Sequence, residues 1–254
     1  MTLLDALWLA SAALLAGALN AVAGGGSFLT LPALLAAGVP PVAANATGTV
    51  ALLPGYLSAS WASRHDLALP RGTSLSRLLT LALVGGALGA GLLVKTSDQL
   101  FAALAPLLLL AATGLFFLQP RLRAADIKPR TGRSDPQLSW LPLLACCIYG
   151  GYFNGGLGIL LLTTLTHAGL GSLHAANAVK NQISAVLTAI AVVLYAVAGA
   201  VHWGAAAWMA VFALLGGYVG AHLTRRVSAQ RLRQLVIVLG LTMAALLIAT
   251  RHIA

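Results

Sequence analysis

With 254 residues, of which 59% are hydrophobic and only 8% are charged, the chain is too apolar to be a water-soluble globular enzyme. Soluble domains average about 45–50% apolar and about 25% charged residues. The chain has 15 Lys and Arg against five acidic residues, all of them Asp, and its formal net charge is +10. Because the cations lie in short clusters between apolar runs, the excess charge indicates membrane orientation and not a nucleic-acid partner.

Several apolar runs have the roughly 20 residues that a membrane-spanning helix needs. In chain order they cover residues 3–23, 42–62, 73–94, 99–118, 174–201, 204–222 and 231–250. Two further runs, 27–37 and 157–168, are bounded by glycine and are too short to span, so we expect each to form half of a broken or re-entrant element. Segment 138–153 is also a little short for a full span. The sequence therefore predicts an all-α, polytopic membrane protein.

A polar, basic linker at residues 119–137 divides the chain into a predicted first transmembrane repeat, 1–118, and a predicted second one, 138–254. The same sequence features recur in the same order in both halves. GGALGA at 85–90 returns as GGYVGA at 216–221, NA at 45–46 returns at 177–178, and NxxxG at 20–24 returns at 154–158. We interpret this recurrence as an internal duplication, and the GxxxG pairs within it as sites of close helix packing.

The positions of Lys and Arg in short loops predict which loops face the cytoplasm. The linker and the loop 222–233 are the richest in these residues, so we place both inside, whereas the connection 199–204 has none and belongs outside. Stepping back along the chain places 95–98 outside and 64–72 inside. Each half must then begin and end on opposite sides. The sequence thus predicts two repeats of inverted topology, an arrangement that in many secondary transporters places the binding site where the repeats meet.

The first motif that could form a binding site begins with NAVAGGG at residues 20–26. Three consecutive glycines unwind the end of the first helix, and Ser27 can start a half-helix. Such a break exposes backbone N–H groups and a positive helix end, which suit an anion. Further along, Asn45 and Thr47 add hydrogen-bond donors. The alternative is that the glycines only allow close packing and that Asn and Thr bond one helix to another.

The second motif, residues 154–182, repeats the glycine break as NGGLG and contains Lys180. A cation within the membrane is costly and is usually functional. Asn177 lies on the same helix face as Lys180, and Gly48 is the equivalent residue of the first half, so one half supplies charge and the other supplies space. The alternative is that Lys180 lies near a helix end and extends its ammonium to the lipid headgroups.

The acidic residues all fall in predicted loops or at helix ends, at Asp5, Asp66, Asp98, Asp126 and Asp135. Carboxylate-type antiporters, cation pumps and metal transporters normally need an acid at membrane depth. We therefore predict neither a metal nor a cofactor. Glycine breaks, amide and hydroxyl donors and one lysine instead describe an anion site.

An intramembrane enzyme that uses Cys146 or Cys147 with His167 is an alternative of another class. The spacing matches no nucleophile motif, and no acid orients the histidine, so the sequence predicts a protein that is not an enzyme. His167 and His174 remain candidates for proton transfer or substrate contact, against an interfacial role. A lipid-binding scaffold, a further alternative, would not need polar residues at broken helices. An anion importer or channel also stays open.

Two segments resemble the TauE/SafE family of bacterial sulfite exporters. Residues 17–53, with NAVAGGG and PALLAAGVPPVAANAT, look like the family signature, and GGYFNGGLGI and ANAVKNQ look like its second repeat. The resemblance covers nearly the whole chain, although Ser27 stands where the family often has another glycine. It implies a permease of the bacterial inner membrane with about eight helices, for sulfite or for small organosulfur or sulfonate-type anions.

We therefore predict a transporter that moves a small anion outward across the bacterial inner (plasma) membrane. Its predicted partners are that anion, the lipid bilayer and a second copy of the chain in a homodimer, with no nucleic acid. The predicted substrate-binding residues are Asn20, Gly24, Gly25, Gly26, Ser27, Asn45, Thr47, Asn154, Gly158, Asn177, Lys180 and Asn181.

Overall fold

The computed structural model describes residues 2–70, 72–126, 139–168, 170 and 172–223, together with a few positions between 234 and 245. This part of the chain is all-helical, as the sequence predicts. Its α-helices are α1 (Leu3–Ala23), α2 (Ser27–Ala36), α3 (Pro41–Ala62), α4 (Leu75–Lys95), α5 (Asp98–Asp126), α6 (Trp140–Tyr152), α7 (Leu157–His167), α8 (Leu173–Val197) and α9 (Trp203–Leu223). A 3-10 turn at Arg64–Asp66 follows α3.

Several helices have the length and composition of membrane spans. Leu3–Asn20, Leu75–Lys95 and His174–Val197 are long and apolar enough to cross a membrane, and shorter apolar helices accompany them in the described part. Helix α5 continues to Asp126 and so includes the first residues of the predicted linker. The rest of that linker, and most of the apolar run 231–250, lie outside the described residues.

Two helical hairpins form around the glycine-rich breaks. In the first, α1 and α2 run antiparallel, because the Trp8 indole near the start of α1 donates to the Ala33 carbonyl near the end of α2 at 3.3 Å. In the second, α6 and α7 are joined in the same way by Cys146 Sγ and Thr164 Oγ1 at 3.5 Å. The two short apolar runs thus form α2 and α7, each the second arm of a hairpin that reverses the chain direction.

Glycines bring one helix of each hairpin into backbone contact with a helix of the other half of the chain. Helix α1 packs along α9, and α6 packs along α4. A Cβ on Gly216 of α9 would overlap the Leu14 carbonyl oxygen, and a Cβ on Gly89 of α4 would overlap the Ile148 carbonyl oxygen. At Gly85, an added Cβ would overlap the Cys147 side chain. The predicted close packing of the GxxxG pairs is confirmed for these three glycines, and Gly220 lies outside the described side chains.

Helices α3 and α8 run antiparallel and contact each other. The C-terminal part of α3 lies beside the N-terminal part of α8, where the Ser60 hydroxyl donates to Gln182 Oε1 at 2.8 Å. At the opposite end, the Val42 amide of α3 donates to Asp98 Oδ1 at 2.8 Å, and the His202 amide donates to Thr47 Oγ1 at 3.0 Å. The connections 96–97 and 198–202 therefore lie at the end of the bundle where α3 begins, away from the 3-10 turn that follows its C-terminus.

Candidate functional site

A cavity of about 720 Å³ lies between α1, α3, α8 and α9. Small-molecule sites in proteins have volumes of roughly 300–1,000 Å³, so this cavity is large enough for a small solute with bound water. Exposed Asp66 and half-buried Ser63 line it beside the 3-10 turn, whereas Tyr56, further inside, is buried. The cavity therefore opens at the end of the bundle where α3 terminates.

Lys180 gives this cavity its positive charge. No other Lys or Arg lies in the part of the wall built from described residues. Its side chain is only 8% exposed, and it has no hydrogen bond or ion pair with the described residues. A buried ammonium without a counter-charge is costly, and an anion beside it would reduce that cost. The position of Lys180 in an interhelical wall favours the site interpretation over extension to the lipid headgroups.

Amide side chains surround Lys180 in the same wall. Asn177 is exposed to the cavity, and Asn20 contributes a buried Oδ1 atom that has no partner among the described residues. Asn181 donates to Ser63 Oγ at 3.0 Å and thereby ties α8 to α3. Thus Asn20, Asn177, Lys180 and Asn181, which the sequence places in two distant motifs, line one cavity.

The predicted residues of the glycine-rich breaks form a second group, next to the cavity but not in its wall. A Cβ on Gly24 would lie 3.0 Å from the Gly158 Cα, so the breaks of the two hairpins touch each other. Asn154 has a φ of 65°, a left-handed conformation rare for a side chain larger than glycine. Its Oδ1 accepts from the Tyr56 hydroxyl at 3.2 Å. Tyr56 thus joins the cavity to the contact between the breaks.

The start of α2 offers fewer free amides than the sequence predicts. Gly25, Gly26 and Ser27 are buried. The Phe28 amide donates to the Gly25 carbonyl at 3.1 Å, and the Leu29 amide donates to the Gly26 carbonyl at 3.0 Å. Two of the N–H groups in this first turn are therefore already satisfied by the chain itself.

A third group of predicted residues makes contacts between helices away from the cavity. The Asn45 amide donates to the Tyr152 carbonyl at 2.9 Å, and Thr47 accepts the bond from His202. The predicted space at Gly48 is wrong, because a Cβ there would lie 2.7 Å from Thr30 Oγ1. The Thr30 side chain of α2 already fills the position that corresponds to Lys180.

Three further residues have functional features that the sequence analysis missed. Tyr56 lines the cavity and holds Asn154, while Ser184 and Thr188 of α8 have buried hydroxyls without a partner in the described part of the chain. The last two follow Lys180 at intervals of four residues, which place them on one helix face, so their spacing was a usable signal. Nothing in the sequence around Tyr56 distinguishes it from an ordinary apolar helix residue.

The residues of the alternative enzyme site do not line the cavity. Cys146 and Cys147 are buried free thiols, and neither they nor His167 and His174 belong to its wall. Within the described residues, no group of three or more His, Cys, Asp or Glu side chains could hold a metal ion.

Comparison with known proteins identifies the family. The family model described as "Sulfite exporter TauE/SafE" matches residues 9–247. The chain belongs to the TauE/SafE family. This match includes most of the first hairpin, all of the second, and every residue of the cavity wall named above. As a TauE/SafE protein, the chain is a membrane transporter.

Curated relatives agree with this assignment to TauE/SafE. A "Probable membrane transporter protein ORF9" of Sinorhizobium sp. is 31% identical over 94% of this chain and 90% of its own length. A "Probable membrane transporter protein" of Haemophilus influenzae is 30% identical over 89% of this chain and 88% of its own. "Probable membrane transporter protein YfcA" of Escherichia coli K12 is 27% identical over 94% and 88%. No solved structure matches the chain significantly.

Proposed function

We propose that this transporter exports a small oxyanion, such as sulfite or a related organosulfur or sulfonate compound, across the bacterial inner membrane. The observation that carries the proposal is Lys180, a buried cation without an acidic partner among the described residues, in the wall of a cavity that also presents three Asn side chains. The single carboxylate among the described wall residues, Asp66, is exposed beside the 3-10 turn. An inner wall whose described residues include one positive charge and no negative one favours an anion.

Two inverted repeats would give this site a transport mechanism. The contacts that support them occur in matched pairs, since α1 packs on α9 as α6 packs on α4, and α3 contacts α9 as α8 contacts α4. The hairpin breaks meet between the halves. In transporters with such repeats, one half rocks against the other around a fixed central site. The cavity between α1, α3, α8 and α9 would then be one of two alternating openings.

The membrane potential supports the outward direction, and the side on which this cavity opens is compatible with it. Its open end lies at the 3-10 turn, which carries the exposed residue Arg64, and basic loops face the cytoplasm. An anion would therefore enter from the cytoplasm. A monovalent anion that leaves a cell held about 100 mV negative inside gains roughly 2.3 kcal/mol. Export thus needs no additional energy source to reach a substantial gradient.

Flux measurements in proteoliposomes test the proposal. The purified chain is reconstituted, and the movement of sulfite, methanesulfonate, chloride and Na⁺ is followed with a membrane potential of either sign. We expect sulfite or methanesulfonate flux that exceeds chloride and Na⁺ flux, that a potential negative on the cytoplasmic side accelerates outward, and that Lys180→Ala abolishes. Lys95→Ala, at the exposed end of α4, is the control and should transport normally. Absence of anion flux, or full activity of Lys180→Ala, would contradict the proposal.

A further inference from the structure

A row of polar side chains runs along one face of α8 from the cavity into the interior. Asn177, Lys180, Asn181, Ser184 and Thr188 are spaced by three or four residues, which places them on one side of the helix. The first three line the cavity. Ser184 and Thr188 are 1% and 0% exposed, respectively, and do not belong to the cavity wall. The polar face thus continues beyond the cavity floor.

The hydroxyls of Ser184 and Thr188 differ from those of three threonines in other helices. Thr49, Thr113 and Thr164 donate to the carbonyl oxygen four residues earlier, at 2.8, 2.7 and 2.8 Å. Ser184 Oγ and Thr188 Oγ1 make no hydrogen bond to any described residue. A buried polar atom without a partner destabilises a fold, so a function that uses these hydroxyls in another state would explain their presence.

Helix pairing places these hydroxyls level with the hairpin contact. Gln182 of α8 lies opposite Ser60 of α3, and the helices are antiparallel, so the turns of α8 that follow lie opposite the turn of α3 that contains Tyr56. Tyr56 in turn holds Asn154, whose Nδ2 atom is buried and has no partner within the described residues. Three unsatisfied polar groups therefore occur at one level of the bundle, beside the breaks.

We propose that Ser184, Thr188 and the Asn154 amide form a second binding station for the transported anion, which it occupies after it leaves Lys180. The inference rests on the proposed function, because it concerns the same cargo. Two hydroxyls and an amide NH₂ donate hydrogen bonds to the oxygens of a small oxyanion without adding charge. Lys180 lies on the same helix face, about one turn from Ser184 and two turns from Thr188, and its charge repels a cation from this level. Neither hydroxyl lines the cavity beside Lys180, so the anion reaches this station only when the helices around it move apart.

Conservative substitutions on α8 test this station. Ser184→Ala and Thr188→Val remove only the hydroxyls, Thr188→Ser keeps one, and Thr113→Val removes a buried hydroxyl that already has a partner. For each variant, equilibrium sulfite binding, sulfite flux in proteoliposomes and the thermal midpoint are measured. We expect Ser184→Ala and Thr188→Val to bind sulfite within about twofold of the parent but to transport it at least ~10-fold more slowly. Their midpoints should equal or exceed that of the parent, because an unsatisfied buried group is lost.

The controls separate a role in transport from a role in folding. Thr188→Ser should recover most of the flux, and Thr113→Val should transport within about twofold of the parent. Unchanged flux in the Ser184→Ala, Thr188→Val double variant would overturn the second station and leave the Lys180 site intact. Lower midpoints with proportionate loss of activity, or equal loss of sulfite binding, would also overturn it. A parent chain that moves no anion would overturn both the station and the proposed function.

Discussion

Replacement of Lys180 by methionine should weaken equilibrium binding of the anion by roughly 5-fold to 700-fold. Methionine is unbranched like lysine and fills the same space, but it removes the only positive charge from the described cavity wall. The other wall residues that would contact the anion are uncharged amides. The change therefore isolates the contribution of charge from that of shape.

The expected size of the effect follows from the burial of the side chain. An anion in contact with the ammonium places the two charges about 4 Å apart, where their interaction is ~1 kcal/mol in water and ~4 kcal/mol at an effective dielectric constant of 20. Lys180 is 8% exposed but borders an open cavity, so its environment lies between these limits. Since 1.4 kcal/mol corresponds to a factor of 10, the dissociation constant should rise by roughly 5-fold to 700-fold.

Isothermal titration of the purified protein in detergent with sulfite and with methanesulfonate measures this change. Lys180→Arg keeps the charge and should retain most of the affinity, whereas Lys95→Met, at the exposed end of α4, should change nothing. If Lys180→Met bound either anion as tightly as the parent, the charge of Lys180 would have no part in recognition. Equal weakening by Lys180→Arg and Lys180→Met would show that side-chain shape, and not charge, decides affinity.

The remaining predictions concern packing and hydrogen bonds, each measured by thermal or chemical unfolding in detergent. Gly89→Ala and Gly216→Ala should each destabilise the fold by about 1–3 kcal/mol or more, because an added Cβ overlaps a carbonyl oxygen of the neighbouring helix. Gly91→Ala, on α4 with no atom near its added Cβ, should be neutral or stabilise by up to ~1 kcal/mol, and equal losses at all three would refute the contact argument. Tyr56→Phe removes the bond to Asn154 and should cost about 0.5–1.5 kcal/mol; an unchanged midpoint would mean that this bond contributes nothing. Asp98→Ala leaves the Val42 amide at the start of α3 without its acceptor and should cost about 0.5–2 kcal/mol, whereas Asp98→Asn, which keeps an oxygen acceptor, should cost less.

The hairpins, the GxxxG contacts and the importance of Lys180 were predictable because they depend on local sequence. Three glycines at 24–26, and Gly155 and Gly156 before α7, interrupt helices whatever surrounds them, and runs 27–37 and 157–168 are too short to span. The interhelical use of the GxxxG pairs was predictable for the same reason, since only a small residue permits backbone contact. Lys180 was identifiable because a lone cation in an apolar helix is costly wherever that helix lies.

Other features depended on how distant segments pack. Gly48 has no side chain, so the sequence suggested free space beside it, yet the Thr30 side chain of α2 occupies that space. Asn45 and Thr47 have the same donor chemistry as Asn20, but their partners, the Tyr152 carbonyl and the His202 amide, lie more than a hundred residues away along the chain. No local pattern distinguishes an amide that bonds another helix from one that faces a cavity.

The sequence by itself determined a basic, all-helical membrane protein, the two glycine-rich breaks and the lone lysine within an apolar helix. Composition, hydrophobic periodicity and a charged residue in an apolar helix are properties of a few helical turns. They can therefore be recognised without knowing which segments pack against that helix. Only the tertiary structure decided that Asn20 and Lys180 line one cavity, that Tyr56 joins it to the touching breaks, and that the hydroxyls of Ser184 and Thr188 have no partner in the described part of the chain. Those properties depend on which helices meet and at what level, and packing between distant segments sets both.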